Sequence, residues 1–273
     1  MSELIAAYAA HLRAADMAQR TITAREQLLR RLDKTLPEGL AQAATEELEV
    51  MFGQWTGWTL YTYWEHVFSF YAWATRGRRP RLDWNPMEDM RRPRTPQREP
   101  RPMTEQEIAV ALCKLRDPWR RGVLLATCNG LRCAEVVWLD REHVTEQEMT
   151  IRRKGGKTQT LPTHPAVWAD LSRLPPGPVV RTGAGTRFNP THYSGGVSDA
   201  LTAIGIPEGH LHRFRASFAT RLHEQGTPIR VIQKLMGHAR LETLQAYIET
   251  REEQRRLAVN TLPLPAITLQ DAA

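Results

Sequence analysis

Two histidines, an arginine and a tyrosine stand at short intervals in the last quarter of the sequence. His212 and Arg215 are three residues apart, Gly237-His238 follows, and Tyr247 stands nine residues after that histidine. The surrounding residues favour helices, and residues three apart on a helix share a face. This combination of a nucleophilic hydroxyl, a fixed cation and two imidazoles indicates a site for a phosphate rather than an apolar core.

Three further cationic residues lie upstream. Arg132 stands at a predicted helix start, with Glu135 about one turn beyond it. Lys154 and Lys157 flank two glycines at the tip of a predicted β-hairpin. Taken singly, each has an ordinary structural interpretation, because helical arginines form surface ion pairs and lysines at hairpin tips are usually solvated. The functional interpretation rests on the whole set occurring together.

Together these side chains include the types needed to cleave a phosphodiester without a metal. Arginine binds phosphate oxygens through its planar fork and keeps its charge at any working pH. Two arginines can neutralise the charge that builds on phosphorus, where electrostatics dominate catalysis. Tyrosine supplies an oxygen nucleophile, histidine exchanges protons near neutral pH, and lysine can protonate a departing alkoxide.

The order of these motifs resembles the tyrosine recombinase (phage integrase) family. The resemblance spans about Thr104 to Glu249 and is carried by Gly130-Leu131-Arg132-x-x-Glu135, Lys154-Gly155-Gly156-Lys157, His212-x-x-Arg215, and Gly237-His238 with Tyr247. It implies a mainly α fold with a small antiparallel β-sheet: a helical, SAM-like core-binding domain followed by an α/β catalytic domain. Two positions depart from the family pattern, since Ala216 stands where histidine is common and Leu211 where proline is frequent. Neither position is a catalytic one.

The resemblance assigns the bond-making and proton-transferring roles. Tyr247 corresponds to the nucleophile that attacks the scissile phosphate, leaving a 3′-phosphotyrosine and a free 5′-hydroxyl. Lys154 corresponds to the general acid for the leaving 5′-oxygen, with Lys157 as the alternative. His212 corresponds to the residue that assists proton transfer at the tyrosine.

The resemblance also assigns the residues that hold the phosphate. Arg132 and Arg215 correspond to the pair of arginines that bind it, and His238 to a hydrogen-bond donor. Glu135 is expected to orient the arginines rather than to react. Energy is kept in the phosphotyrosine bond, so no nucleotide cofactor or metal is expected.

The function implied is site-specific cutting and rejoining of double-stranded DNA at core-type recombination sites. The resemblance further implies a homo-tetramer on synapsed DNA and a possible accessory directionality protein. Integration and excision of a phage or mobile element is the leading interpretation. The alternatives are a host-type recombinase that resolves chromosome or plasmid dimers, a catalytically silent DNA-binding relative and, more remotely, a type IB topoisomerase.

The composition agrees with a DNA partner. The chain has 273 residues, 41% hydrophobic and 25% charged, and a net charge of +7, which favours a polyanion. Three cysteines without a C-x-x-C pair argue against a disulfide framework and a zinc site, and they fit a cytoplasmic location. We expect no membrane association, because no signal-peptide pattern opens the sequence and no run approaches the roughly 18 apolar residues of a membrane span.

The Pro-rich and Arg-rich breaks in the sequence predict four parts. These are a helical domain over 1–90, a basic Pro/Arg linker over 91–102, a catalytic domain over 103–260 and a tail over 261–273. A crowded aromatic row at 59–73 is expected to form the core of the first domain rather than a base-stacking platform. The larger stretch 76–102 contains nine arginines and six prolines, which exclude regular structure and are expected to keep it from being buried. It is also expected to lie along a phosphate backbone.

Several helix boundaries follow from capping signals. Thr104 with Glu107 forms a predicted capping box. Thr227 is a predicted N-cap with Pro228 at the first helical position. A short helix is predicted at 243–247 and a charged helix at 251–259, and the resemblance suggests that the apolar tail docks on a neighbouring protomer. A separate arm-binding domain is expected to be absent.

Overall fold

The computed structural model describes residues 1–96, 101–153 and 155–237. The chain divides into two compact units, Met1–Gln97 and Arg98–Ala273. Within the described residues the regular elements are eleven α-helices, one 3-10 helix and one two-stranded antiparallel sheet. The predicted fold class, mainly α with a small hairpin, is therefore confirmed. Among the same residues, no helix is long and apolar enough to cross a membrane.

The first unit is a four-helix structure. Its helices are α1 (Ser2–Ala14), α2 (Gln19–Thr35), α3 (Thr45–Phe52) and α4 (Gly57–Ala74). The apolar residues of α1 and α2 recur at helical spacing and face inward, with Ile5, Ile22 and Leu29 almost fully buried. The aromatic row on α4 contributes Phe70 and Tyr71 to the same core, as predicted for a packing role.

The Arg/Pro-rich stretch contains no helix or strand in its described part, as predicted, but the expectation that it would not be buried is wrong. Asn85 and Met87 are buried, and Met87 belongs to the core of the first unit. The Pro86 carbonyl accepts a 2.9 Å hydrogen bond from the Thr45 hydroxyl on α3. The physical reason is that the few residues without charge between the arginines fill the core, while the arginines stay outside it.

The second unit is built around one buried helix. Its helices are α5 (Glu105–Lys114), α6 (Trp119–Asn129), α7 (Cys133–Trp138), α8 (Pro165–Leu171), α9 (Pro190–Ala203), α10 (Leu211–Glu224) and α11 (Ile229–Met236), with a 3-10 turn at Arg141–His143. The apolar run in α6 is buried over Gly122–Thr127, and α6 packs against α5, α7, α8, α9 and α10. The other helices of the unit therefore pack around α6, except α11, which contacts α10.

The predicted hairpin is present. Strands β1 (Glu148–Arg152) and β2 (Thr158–Pro162) pair antiparallel, with Ile151 opposite Gln159. Met149, Ile151 and Leu161 face the core, which is the alternation expected of a half-buried strand. Gly155 and Gly156 both have positive φ, at 84° and 79°, so two glycines suit the turn.

Two of the predicted helix starts have different outcomes. The Thr104 capping box is confirmed, with the Thr104 hydroxyl and the Glu107 carboxylate each bonded to the other's backbone N–H. The prediction of Thr227 as N-cap is wrong, because α11 begins at Ile229 with Pro228 as its N-cap. The Thr227 N–H still bonds the Leu222 carbonyl at 2.9 Å. Thr227 therefore caps the C-terminal end of α10 instead of the start of α11.

Candidate active site

A single carboxylate, that of Glu135, lies at the centre of the described part of the site. It stands in the first turn of α7, and its side chain is 3% exposed. Oε2 accepts the Arg132 backbone N–H at 2.8 Å, and Oε1 accepts Arg132 Nη1 at 2.9 Å and Arg153 Nη1 at 2.7 Å. Arg215 Nη1 lies 3.5 Å from Oε2. Three guanidinium groups from three elements therefore converge on one carboxylate.

The electrostatics of this cluster keep Glu135 ionised. Burial raises the pKa of its carboxyl, but the Arg132 backbone N–H and the charges of Arg153 and Arg215 outweigh that effect, so the pKa lies below its ordinary value. One negative charge facing three positive ones leaves a local excess of positive charge. Such an excess suits an anionic group such as a phosphate.

Arg215 is the most deeply buried of the three arginines. Its side chain on α10 is fully buried, and it donates to the carbonyls of Gly130 and Met236. Helical spacing places Arg215 on one face with His212, but the structure buries Arg215 beside Phe214 and leaves His212 exposed. The compensation comes from the backbone carbonyls and Glu135, which the helical spacing alone does not reveal.

Gly130 makes the position of Arg215 possible. It ends α6 in the left-handed conformation, with φ 63°, and a Cβ there would come within 2.5 Å of the Phe218 ring. Its carbonyl can therefore turn towards Arg215 only because it has no side chain. The same glycine precedes Leu131 and Arg132, so one turn places both predicted phosphate-binding arginines.

Arg132 is the accessible member of the cluster. It is the N-cap residue of α7 and its side chain is 36% exposed. Because Glu135 binds both its backbone N–H and one guanidinium nitrogen, the side chain is oriented without being buried. The structure thus brings Arg132 and Arg215 together around Glu135, although 83 residues separate them in the chain.

Arg153 is a member of the cluster that was not among the residues predicted from the sequence. Its side chain is 9% exposed and bonds Glu135, Gln159 Oε1 at 2.9 Å and the Leu235 carbonyl at 2.7 Å. The signal that could have found it is strand alternation, since Met149 and Ile151 are buried on β1 and the next position of that period is 153. An arginine continuing a buried face predicts an internal ion pair.

His212 lies in the first turn of α10, one turn before Arg215, and is exposed. Its ring stacks on that of His210, with centroids 6.4 Å apart. Burial and the charge of Arg213 lower the pKa of His210. The two imidazoles therefore stand at the start of the helix that carries Arg215.

The remaining predicted site residues lie outside the described residues: Lys154, His238 and Tyr247, together with the predicted helices at 243–247 and 251–259 and the tail. Their described neighbours are Arg153 and Gly155 on the hairpin and Gly237 at the end of α11. Lys157, the alternative general acid, is exposed and its carbonyl accepts the Arg153 N–H at 2.7 Å. Among the described residues, no three His, Cys, Asp or Glu side chains group as candidate metal ligands.

Comparison with known sequences places these features in a family. Residues 104–254, more than half of the chain, match the profile of the phage integrase family. Tyrosine recombinase XerC of Mesorhizobium japonicum is 32% identical over 180 residues, which cover 58% of this chain and 58% of the relative. The chain therefore matches less than two thirds of that relative's length.

Solved structures show the same fold. A lambda integrase (75–356) dimer bound to a COC′ core site matches with a TM-score of 0.75 and 15% identity, covering 92% of this chain and 96% of that one. A lambda integrase tetramer bound to a Holliday junction matches with a TM-score of 0.70 and 17% identity, covering 87% and 77%. The two-unit helical architecture with its small hairpin is thus a known one.

Proposed function

Because the chain belongs to the phage integrase family of tyrosine recombinases, we propose that it is a site-specific recombinase that cleaves and rejoins double-stranded DNA. The observation that carries the proposal is the convergence of Arg132 and Arg215 on Glu135. Two oriented guanidinium groups, one of them accessible, form a binding site for a phosphodiester. The motif residues that follow in the sequence supply the remaining groups.

The proposed reaction proceeds in two balanced steps. The Tyr247 hydroxyl oxygen attacks the scissile phosphorus, the bond to the 5′-oxygen breaks, and a 3′-phosphotyrosine forms. Lys154 gives a proton to the leaving 5′-oxygen, and His212 takes the proton from the tyrosine. In the second step a 5′-hydroxyl of the partner strand attacks the phosphotyrosine, Lys154 takes its proton, and Tyr247 leaves with the proton that His212 returns.

The phosphate is held throughout by charge. Arg132 and Arg215 bind its non-bridging oxygens and neutralise the charge that develops in the transition state, and His238 donates a further hydrogen bond. Glu135 orients the two arginines, Arg132 through Oε1 and Arg215 through Oε2. The basic net charge of +7 favours binding to the DNA backbone, and we include a homo-tetramer, with a possible accessory directionality protein, in the proposal.

The biological role we propose is integration and excision of a phage or mobile element. A second candidate, resolution of chromosome or plasmid dimers, is favoured by the similarity to XerC. The two roles differ in their substrates. Recombination between two unlike sites supports integration, whereas efficient recombination only between two copies of one site supports dimer resolution.

The chemistry is tested by trapping. A duplex nicked near the scissile phosphate loses a short fragment after cleavage, so the protein–DNA adduct accumulates and can be sequenced. We expect a covalent adduct with the wild-type protein and none with Tyr247→Phe, while the Kd for the same duplex stays within about threefold. Adducts that persist in Tyr247→Phe would contradict the assignment of the nucleophile.

A further inference from the structure

Arg153 joins three elements of the second unit. It follows β1, and its guanidinium group bonds Gln159 on β2 at 2.9 Å, Glu135 on α7 at 2.7 Å and the Leu235 carbonyl on α11 at 2.7 Å. All three bonds are donated by a charged guanidinium group, and the Arg153 side chain is only 9% exposed. A buried guanidinium group bonded on every edge has a fixed direction.

The end of α11 depends on the same group of side chains. The last carbonyls of a helix have no partners within the helix. Here the Lys234 carbonyl accepts from Gln159 Nε2 at 2.8 Å, the Leu235 carbonyl from Arg153, and the Met236 carbonyl from Arg215. Positive groups also suit the negative end of the helix. The hairpin and the arginine cluster therefore fix the last turn of α11.

Gly237 is adapted to this arrangement. It ends α11 in the left-handed conformation, with φ 59°, and a Cβ there would come within 2.7 Å of Arg153 Nε. The Arg153 guanidinium group thus packs directly against the residue where the chain leaves the helix. Its place is determined by the backbone on one side and by Glu135 on the other.

Arg153 also competes with Arg132 for one oxygen of Glu135. Both arginines donate to the same oxygen, Oε1, at 2.7 and 2.9 Å. If Arg153 were absent, Oε1 would have Arg132 as its one described guanidinium partner, and Arg132 would be drawn further onto the carboxylate. An arginine held in that way presents fewer N–H groups to a phosphate.

We propose that Arg153 is a positioning residue for phosphodiester cleavage: it shares Glu135 with Arg132 and Arg215 and ties the end of α11 to the hairpin. The inference rests on the proposed recombinase function. It assigns Arg153 no contact with the DNA. Removing it should therefore lower the rate of cleavage on bound DNA without weakening DNA binding.

The test compares Arg153→Ala, Arg153→Lys and Arg152→Ala in the full chain. Arg152 is the matched control, because it is the preceding residue of the same strand, is exposed and lies over the Trp138 ring instead of facing Glu135. Single-turnover adduct formation is measured on a nicked core-site duplex at saturating protein, with Kd and thermal unfolding measured in parallel.

We expect Arg153→Ala to lose about 10- to 100-fold in cleavage rate, because small displacements of catalytic groups have effects of that size. Its Kd should stay within about threefold of wild type. Arg153→Lys should fold like wild type and recover part of the rate, since it keeps the charge but not the planar set of bonds. Arg152→Ala should cleave bound DNA at the wild-type rate. Wild-type rates in both Arg153 variants, or a Kd that rises by the same factor as the rate falls, would overturn the proposal.

Two further measurements separate this role from others. Glu135→Gln combined with Arg153→Ala should lose less cleavage rate than the product of the two single losses, because the two side chains share one contact; fully multiplicative losses would count against the proposal. A duplex with sulfur in place of the leaving 5′-oxygen needs no general acid, because a thiol has a pKa of about 8.5. The Arg153→Ala defect should persist on that duplex, and full rescue would place the defect in proton transfer instead.

Failure of the proposed function has a different signature. If the wild-type protein forms no adduct on any nicked core-type duplex, the recombinase proposal fails before Arg153 is tested. If the wild type forms adducts and the Arg153 variants match it, only the inference about Arg153 fails.

Discussion

The two units place arginine in contrasting surroundings. In the first unit, Arg81 lies 4.4 Å from the centroid of the Trp73 ring and Arg31 lies 5.2 Å from that of Tyr63. In the second unit, Arg153 and Arg215 enter the interior and share the carboxylate of Glu135. Arg81 and Arg31 stay in contact with water beside these aromatic rings, whereas burial largely removes Arg153 and Arg215 from it.

The difference separates stability from function. A guanidinium group over an exposed ring stabilises by about 0.5–1 kcal/mol and carries little risk if lost. A buried cluster of charges is weak evidence for stability, because desolvation offsets much of the attraction, but removing one member leaves the others uncompensated. In the second unit, loss of any one of these charges is therefore expected to be strongly destabilising, and the cluster lies beside the accessible Arg132.

Removing the central charge should have the largest effect. We expect Glu135→Gln to lower the free energy of unfolding by about 3–5 kcal/mol, because two buried arginines and Arg132 would then face a neutral amide. Urea unfolding of the full chain at pH 7, followed by far-UV circular dichroism, measures this. DNA cleavage should fall as well, because Arg132 and Arg215 lose their common partner.

The matched control is an exposed glutamate–arginine pair in the same unit. Glu105 lies 2.8 Å from Arg221, with side chains 72% and 40% exposed. We expect Glu105→Gln to cost less than about 1 kcal/mol, as is usual for exposed pairs. Equal losses in the two variants would remove the contrast between buried and exposed charge on which the comparison depends.

The sequence predicted the fold well where the signals are local. The Thr104 capping box and the glycine turn of the hairpin are each encoded within a few residues, and each is present. The prediction of Thr227 as an N-cap was wrong because the short connection between α10 and α11 can cap either helix, and Thr227 bonds α10. Local propensity does not say which helix takes the residues between them.

The site was predictable only in part, for a related reason. Arg132 and Arg215 were identified from motif spacing, and the structure brings them to Glu135. The burial of Arg215 and the role of Arg153 depend on carbonyls of Gly130, Leu235 and Met236, which belong to other elements. Helical or strand periodicity gives the direction of a side chain but not the partner that makes its burial tolerable.

A histidine in the first unit offers a pH test that sharpens the comparison. Burial, followed by the charge of Arg25, lowers the pKa of His66 on α4 to about 4 from 6.5, against a smaller opposite effect of Glu65. The unfolded chain therefore binds this proton more readily than the folded one, and stability should fall as the pH falls from 6.5 towards 4. We expect a loss of about 1–2 kcal/mol after allowing for partial exposure. His66→Gln should flatten this slope.

The measurement uses urea unfolding of the full chain between pH 4.5 and 7.5, followed by tryptophan fluorescence. Five of the eight tryptophans belong to the first unit, so this signal reports mainly on it. His11→Gln is the control, because His11 is exposed in the same unit, and it should keep the wild-type slope. Glu135 acts at lower pH. Because its pKa in the folded protein lies below the ordinary 4.5, it contributes stability that is complete above pH 4.5 and is lost as the pH falls through the folded-state pKa. The lowered pKa of His210 adds a slope in the same pH range from the second unit. A slope above pH 5 that is as steep in His66→Gln as in the wild type would contradict the assignment.

The smallest effect should come from an arginine over a ring. Arg81 is exposed, and its backbone N–H bond to the Ala74 carbonyl, at 2.7 Å, does not depend on the side chain. We expect Arg81→Gln to lower the free energy of unfolding by about 0.5–1 kcal/mol, and Arg81→Lys to lose less, because it keeps the charge but not the planar stacking. Arg79→Gln, an exposed neighbour, controls for net charge. If Arg81→Gln cost as much as Glu135→Gln, exposure would not set the size of an arginine's contribution, and the contrast between the two units would fail.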